Sequence, residues 1–171
     1  MSEENKVKIS ATASQPGAQA AAQAAAPAPG PAVAATSRGA LAFQAVDFGL
    51  KGYHQEATVT PEQVVSAAEQ LDKEGFALDT ITGVDWMAQG QMEVVYDYFH
   101  PAKSLRVVVR ARIPRDKPEI PTISNVFPGA NWHERETHDF FGIRFLGHPD
   151  LSPFLLPEDA TYHPLRKDFA A

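Results

Sequence analysis

The segment from residue 143 to residue 169 most strongly limits what this chain can fold into, because it is rich both in proline and in large apolar side chains. Its prolines are Pro149, Pro153, Pro157 and Pro164. Proline lacks a backbone donor, so this spacing excludes a long helix or a central strand. Its large apolar residues include Phe145, Leu151, Phe154, Leu155 and Leu156. We therefore expect an extended tail that either folds back on its own domain or, as we prefer, lies along another protein.

The other end of the chain is expected to remain unfolded. Residues 11–40 are rich in alanine and contain Pro16, Pro27, Pro29 and Pro31. These prolines block a long helix, and the stretch offers no large apolar side chain to bury. We predict a disordered Ala/Pro-rich arm over residues 1–40. Its charged start, "MSEENKVKIS", lacks the apolar region of a secretory signal, so a cytoplasmic location is expected.

Between these two segments, residues 41–142 are predicted to form a small α+β domain in which a mostly antiparallel sheet packs with helices. Thr60 is a suitable N-cap for the first helix, Pro61 suits its first position and Gln63 closes a capping box. Gly75 suits its end. Strands are predicted over residues 77–86, 92–100, 104–113 and 121–127, the middle two forming an antiparallel hairpin.

A second helix is predicted to begin with Asn131 as N-cap and Glu134 in a capping box, and to run to about Phe141 with Gly142 as its terminator. Its letters "HERETH" resemble the H-E-x-x-H zinc motif, but His133 and His138 are five residues apart. At about 100° per residue these side chains lie about 140° apart around the helix axis, so they do not converge on one ion. A zinc-dependent hydrolase is therefore only a distant alternative, and no metal site is predicted.

Composition excludes several other functions. The chain has no cysteine, which excludes disulfides, thiolate nucleophiles and Cys-bound iron–sulfur clusters. A net charge of −6 gives no electrostatic footprint for nucleic acid. No apolar run approaches the roughly 18–20 residues that span a bilayer. No nucleotide-binding glycine motif or nucleophile elbow is present either, so no cofactor site is predicted.

The remaining charged residues favour a surface role. The acidic pairs are Asp79 with Asp85 and Glu158 with Asp159, which we interpret as surface or turn carboxylates. Arg106, Arg110 and Arg112 alternate with apolar residues along a predicted strand, so they share a face that is expected to be solvated. From residue chemistry alone, the chain is a protein-interaction module with no catalytic residues of its own.

The segments "ERETHDFFGIRFLGHPDL" (134–151) and "HPLRKDF" (163–169) closely resemble the signature of the 30-kDa subunit of respiratory complex I. This family includes the corresponding subunits of bacterial NADH:quinone oxidoreductases and the equivalent subunits of membrane-bound hydrogenases. The segment "ITGVDW" (81–86) also resembles the family, so the resemblance covers about residues 55–169. Two departures are His138, where an aromatic residue is usual, and Ser152–Pro153, where basic residues are common.

The resemblance implies a non-catalytic scaffold subunit, peripheral on the cytoplasmic face of the inner membrane. It implies no cofactor on this chain, with NADH, FMN, iron–sulfur clusters and quinone bound by partner subunits. The implied partners are a large subunit related to the catalytic subunit of nickel-iron hydrogenases, a cluster-bearing small subunit and other subunits of the peripheral arm. An equivalent subunit of a related hydrogenase or of a ferredoxin- or F420-dependent complex is the alternative, because other subunits choose the electron donor.

The resemblance also implies which residues form the subunit interface, within the 134–142 helix and a partner-binding tail over residues 143–171. These residues are Glu134, Arg135, Glu136, Asp139, Phe140, Phe141, Gly142, Gly147, His148, Pro149, Asp150, Leu151, His163, Pro164, Leu165, Arg166 and Lys167. Within the chain, the charged residues of the helix are expected to form an ion-pair and hydrogen-bond lattice that fixes the direction in which the tail leaves.

Overall fold

The computed structural model describes residues 41–170, so the predicted disordered arm over residues 1–40 lies outside the described residues. The strands, in chain order, are β1 (Gln44–Ala45), β2 (Gln55–Val59), β3 (Ala77–Trp86), β4 (Gln91–His100), β5 (Leu105–Pro114), β6 (Glu119–Pro121) and β7 (Arg144–Leu146). The α-helices are α1 (Phe48–Lys51), α2 (Val64–Lys73) and α3 (Ala130–Phe141). Short 3-10 turns occupy Pro61–Gln63 and Met87–Gln89.

The main sheet has five strands in the order β1-β2-β5-β4-β3. Its strands pair antiparallel except for β2 and β5, which are parallel. A second sheet consists of β6 and β7, paired in parallel. The α+β class with a mostly antiparallel sheet is therefore confirmed.

The predicted start of the first helix is confirmed, because its signals are local. The backbone N–H of Thr60 donates to the side-chain oxygen of Gln63 at 3.0 Å, as a capping box requires. The first turn is a 3-10 turn, and α2 then buries Val64 and Leu71 in the core. The chain leaves the helix through Gly75, whose φ of 87° is in the left-handed region.

The predicted hairpin is also confirmed and forms β4 and β5, with Tyr96 directly opposite Val109. Both of these side chains are buried on the face that carries the core. On the opposite face, Arg106 contacts Asp97 at 2.8 Å, and Arg112 lies 3.5 Å from Glu93. The arginine face of β5 is therefore satisfied by acidic residues of the same sheet.

The helix α3 lies directly against β3, and Gly83 makes this approach possible. A Cβ atom at Gly83 would lie 2.6 Å from Cδ2 of Phe141 and 2.9 Å from its Cγ. The ring of Phe141 therefore occupies the space that any other side chain at residue 83 would need. Because Phe141 is the last residue of α3, this contact sets the position from which the tail leaves the helix.

Two predictions near α3 are wrong. Residues 122–127 form an irregular segment with a turn at 124–126, and the strand ends at Pro121, because β6 pairs only with the three residues of β7. Asn131 lies inside α3, which begins at Ala130. Glu134 does not close a capping box, because its carboxylate instead accepts the backbone N–H of Ile123 at 2.8 Å. A contact between residues distant in sequence thus replaces the local one that we expected.

Candidate functional site

The tail is attached to α3 chiefly by the carboxylate of Asp139. One oxygen, Oδ2, accepts the backbone N–H groups of Phe154, Leu155 and Leu156 at 2.9, 2.7 and 3.1 Å. Three successive N–H groups that converge on one anion fix the direction of the backbone at this point. Asp139 therefore acts as an intramolecular clamp on the tail.

Arg135, one turn earlier on α3, holds the tail immediately before that clamp. Its Nε donates to the carbonyl oxygen of Ser152 at 3.0 Å, and its Nη2 donates to the carbonyl oxygen of Pro153 at 3.0 Å. Its guanidinium lies 5.3 Å from the ring centres of both Trp132 and Phe154. Arg135 thus fixes two exposed aromatic rings as well as the tail backbone.

The tail then returns across the C-terminal end of α3. Nδ1 of His163 lies 2.8 Å from the carbonyl oxygen of Asp139, and Nε of Arg166 donates to the carbonyl oxygen of Phe141 at 2.7 Å. These contacts satisfy carbonyl groups that have no partner within the helix. Gly142 is required here, since its φ is 73° and a Cβ atom would lie 2.5 Å from Nε2 of His163.

A further attachment joins the end of the tail to the sheet through a buried ion pair that sequence reasoning missed. Asp85 is 2% exposed, and its two oxygens accept from Arg115 at 2.8 and 3.1 Å. The same carboxylate accepts the backbone N–H of Lys167 at 2.9 Å, and Arg115 also contacts Asp168 at 2.6 Å. Asp85 is therefore no ordinary surface carboxylate. Its place in "ITGVDW" was the only available signal, because Arg115 and Lys167 are distant in sequence.

Arg135 and Asp139 thus bind the tail backbone, and the ion pair expected between them does not form. Arg135 and Asp139 make no salt bridge with each other, and the side chain of Glu136 makes no hydrogen bond or salt bridge within residues 41–170. The reason is geometric, because the tail backbone offers carbonyl groups to the arginine and N–H groups to the aspartate. The lattice that we predicted is therefore made of side-chain-to-backbone hydrogen bonds.

These attachments predict a detachment of the tail in acid. Hydrogen bonding from Arg115 lowers the pKa of Asp85. Burial opposes ionisation of Asp139, but the N–H groups of Leu155, Phe154 and Leu156 outweigh it, so the pKa of Asp139 is also lowered. A carboxylate whose pKa is lowered by folding stabilises the folded form above its unfolded pKa of about 3.9, and that stabilisation disappears as the pH falls through the folded pKa.

We therefore expect the tail to remain attached at pH 5 and to detach below about pH 4. Fluorescence of Trp132 in a Trp86→Phe variant measures this, because Trp132 packs on Phe154 with 5.1 Å between ring centres. Trp132 fluorescence that does not change between pH 5 and the onset of global unfolding would contradict the carboxylate clamps.

Although its backbone is attached, the tail leaves large apolar side chains in solvent. Phe145 is buried in the core, but Phe154 is 40% exposed and Leu155 is 52% exposed. Phe154 packs on the exposed ring of Trp132, so we take Trp132, Phe154 and Leu155 as one group. Tyr162 and Phe169, whose rings stack with 5.6 Å between their centres, and the exposed Leu165 are taken as a second group. We call the two groups together the aromatic surface. Exposed apolar groups held in fixed positions are typical of a protein-interaction site.

The residues implied as interface residues are divided between attachment and exposure. Those that attach the tail to the domain are Arg135, Asp139, Phe140, Phe141, Gly142, His163, Arg166 and Lys167. Glu134 instead binds Ile123 in the core, and the side chain of Glu136 makes no hydrogen bond within residues 41–170. The turn after β7 contains Gly147, His148, Pro149, Asp150 and Leu151, in which the side chain of His148 is buried and its Nδ1 accepts the N–H of Asp150 at 3.1 Å. Leu165 is 53% exposed, and Pro164 is half-buried. Contact of these residues with a partner remains a prediction.

The histidines of α3 do not assemble a metal site. Nδ1 of His138 lies 2.9 Å from the carbonyl oxygen of Ile143, so this nitrogen carries its proton there. Among residues 41–170, no group of three or more histidine, aspartate or glutamate side chains is placed to hold a metal ion. In the same part of the chain, no helix has both the length and the apolar composition needed to cross a membrane.

Residues 57–171 match the family described as the respiratory-chain NADH dehydrogenase 30 Kd subunit. The C subunit of the NADH-quinone oxidoreductase of Roseiflexus castenholzii is 40% identical over 115 residues, which cover 64% of this chain and 66% of that protein. The C subunit of the F(420)H(2) dehydrogenase of Methanosarcina mazei is 43% identical over 96 residues, or 54% of this chain and 59% of that protein. The match therefore spans less than two thirds of the length of these curated relatives.

A solved structure gives the same result at the level of the fold. A chain of the membrane-bound sulfane sulfur reductase, an archaeal respiratory membrane complex, superposes with a TM-score of 0.63. The two chains are 30% identical, and the superposition covers 68% of this chain and 71% of the other. Proteins with this fold therefore occur in complexes that use different electron donors and acceptors.

Proposed function

Because this chain belongs to the family of the 30-kDa subunit of the respiratory-chain NADH dehydrogenase, we propose that it is a scaffold subunit of a proton-pumping NADH:quinone oxidoreductase. In this proposal it has no catalytic residues of its own. It holds the large quinone-site subunit, which is related to the catalytic subunit of nickel-iron hydrogenases, and contacts the cluster-bearing small subunit and other subunits of the peripheral arm.

The observation that carries this proposal is the aromatic surface, which lies on a tail whose backbone is hydrogen-bonded to the domain. Asp139, Arg135 and Asp85 fix the tail backbone through polar contacts on its inner side. The large apolar side chains therefore project outward from a backbone that is already ordered. A partner that binds this surface meets a pre-organised segment, so little conformational entropy is lost on binding.

The proposed cofactor assignment follows from the same division of roles. The chain has no cysteine with which to bind an iron–sulfur cluster. NADH, FMN, the iron–sulfur clusters and quinone are proposed to be bound by the partner subunits. The protein is proposed to be peripheral, on the cytoplasmic face of the inner membrane, where it is held by the complex.

The second candidate is an equivalent subunit in a complex with another electron donor. The similarity to a subunit of an F(420)H(2) dehydrogenase and to a chain of the sulfane sulfur reductase supports this candidate. Both candidates use the aromatic surface in the same way, and they differ only in the partners that bring electrons to the complex.

A tagged chain purified from solubilised membranes, with partners identified by mass spectrometry, tests the proposal. Recovery of a flavin- and NAD-binding module supports the NADH-dependent complex. Recovery of an F420-dependent, ferredoxin-dependent or nickel-containing subunit with the same large partner supports the second candidate instead. Recovery of the chain alone from membranes in which the complex is intact contradicts the scaffold role.

Arg135→Ala is expected to reduce the amount of assembled complex several-fold. The change releases the carbonyl groups of Ser152 and Pro153 and removes the guanidinium that fixes Trp132 and Phe154. Each lost charge-assisted hydrogen bond costs about 1.5–3 kcal/mol. Native gels measure the assembled fraction, and activity is then expressed per assembled complex.

The matched control is Arg112→Ala, which removes an arginine from the opposite face of the main sheet, where it lies 3.5 Å from Glu93. This variant is expected to assemble normally. Normal assembly of Arg135→Ala together with slower electron transfer per complex would contradict the role given to Arg135.

A further inference from the structure

Glu134 is a carboxylate in the core of the domain that has no cationic partner. It is 0% exposed, and no lysine or arginine forms a hydrogen bond or salt bridge with it within residues 41–170. Its oxygen Oε1 accepts the N–H of Ile123 at 2.8 Å, and its oxygen Oε2 contacts the hydroxyl of Thr122. A buried carboxylate with only neutral partners is expensive to ionise.

The hydroxyl of Thr122 connects this carboxyl group to the hydroxyl of Ser124, which lies closer to solvent. Oγ1 of Thr122 lies 2.8 Å from Oγ of Ser124 and accepts the N–H of Ser124 at 3.1 Å. Ser124 is half-buried, whereas Thr122 is buried. Glu134, Thr122 and Ser124 therefore form a continuous chain of oxygen atoms from the core to the protein surface.

This chain of hydrogen bonds is complete whether or not Glu134 carries a proton. With Glu134 ionised, Thr122 donates to it and accepts from the hydroxyl and the N–H of Ser124. With Glu134 protonated, the carboxyl donates to Thr122, and Thr122 donates to the hydroxyl of Ser124. In both arrangements Thr122 uses its one donor and both of its lone pairs. The site thus has two fully bonded states that differ by one proton.

The other titratable groups around Glu134 are neutral near pH 7. Nε2 of His148 lies 3.7 Å from Oε2 of Glu134 and 3.3 Å from the carbonyl oxygen of Asn131. Nδ1 of His148 accepts the N–H of Asp150, so the ring carries its one proton on Nε2. Burial lowers the pKa of His148, and burial raises the pKa of Tyr96 and of Tyr98 on β4.

We propose that Glu134 is a buried proton-binding site that exchanges its proton with solvent through the hydroxyl groups of Thr122 and Ser124. When Glu134 takes up a proton, the hydroxyl of Ser124 receives a proton from water and passes its original proton to the hydroxyl of Thr122. Thr122 in turn passes its original proton to the carboxylate of Glu134. Each hydroxyl ends with one proton, so the transfer balances. His148 lies at the start of the tail, and its Nε2–H points to the carbonyl oxygen of Asn131. Loss of the proton from Glu134 leaves a carboxylate that attracts this Nε2–H away from Asn131.

The titration lies in the physiological range. Burial raises the pKa of Glu134 from 4.5 to about 7, against the opposing hydrogen bonds from Thr122 and Ile123. Because folding raises this pKa, the folded form binds the proton more tightly than the unfolded form does. The resulting stabilisation is complete below pH 4.5 and is lost as the pH rises through about 7. This window is separate from the acid window of Asp85 and Asp139.

Carboxyl ¹³C NMR of the full chain labelled at glutamate tests the proposal. One glutamate is expected to titrate near pH 7 in the unmodified chain, and that signal is expected to be absent in Glu134→Gln. Glu136→Gln is the matched control on the same helix, and it is expected to retain the signal. Thr122→Val is expected to raise the midpoint, because the ionised form loses a donor.

The result in the unmodified chain decides the question even if a variant fails to fold. A spectrum in which every glutamate titrates near its ordinary pKa would overturn the proposal. A near-neutral titration seen in the ring ¹⁵N signals of His148, with all glutamate carboxyls unchanged, would also overturn it. Ser124→Ala is expected to leave the midpoint unchanged and to slow proton exchange, and an unchanged exchange rate would exclude the proposed path.

Discussion

Gly83→Ala is expected to destabilise the domain by about 3 kcal/mol, at the upper end of the usual cost of overpacking a core. A Cβ atom at this residue would lie within 3 Å of three ring carbons of Phe141. The strand β3 is fixed by its pairing with β4, so the ring and the end of α3 must move. Chemical denaturation measures the loss of unfolding free energy, and hydrogen exchange across α3 shows where the structure moves.

The control for this prediction is Gly129→Ala, which precedes α3. Gly129 has a φ of −62°, and no atom outside its immediate chain neighbours lies within 4 Å of a Cβ atom built there. This change is expected to be close to neutral. Gly83→Ala should also cost less in a Phe141→Leu background, because the smaller side chain leaves room for the methyl group. Equal costs in the two backgrounds would show that the Gly83–Phe141 contact is not the cause.

Asp139→Ala is expected to release the tail while the main sheet stays folded. The change removes the one acceptor shared by the N–H groups of Phe154, Leu155 and Leu156. Hydrogen bonds to charged groups are worth about 1.5–3 kcal/mol, so we expect a loss of about 3 kcal/mol of local stability. Hydrogen exchange of these three amides should then accelerate about 100-fold, since each 1.4 kcal/mol is a factor of ten.

Asp159→Ala is the matched control, because this exposed carboxylate of the same tail makes no hydrogen bond or salt bridge within residues 41–170. It should leave the exchange rates of residues 154–156 unchanged. If Asp139→Ala also left those rates at their original values, the clamp would contribute no free energy to the attachment of the tail. If the whole domain unfolded instead, the tail would be an integral part of the core.

The parts of the fold that were predictable are those specified by neighbouring residues. Thr60, Pro61 and Gln63 lie within four positions and together specify the start of the first helix. The alternation of apolar and charged residues around Val107 and Val109 specifies a half-buried strand. Both predictions are confirmed because no distant contact competes with them. The family resemblance carried by "ERETHDFFG" is confirmed as well.

The failures occur where residues distant in sequence compete with local signals. Glu134 stands at the correct distance from Asn131 for a capping box, but Ile123 and Thr122 bind its carboxylate instead. Asp85 looked like a turn residue because its partners, Arg115 and Lys167, are 30 and 82 residues away. A single sequence contains no direct record of such contacts.

The central claim is that the aromatic surface of α3 and the tail binds the large partner subunit. Site-specific photo-crosslinking in membranes tests this claim most directly, with a photoreactive residue placed at Leu155 or at Thr82. Leu155 is 52% exposed in the aromatic surface, whereas Thr82 is exposed on the opposite face of β3 from Gly83. We expect Leu155 to crosslink to one large subunit and Thr82 to give little of that product. Crosslinking to the large subunit from Thr82 but not from Leu155, in an assembled complex, would contradict the claim.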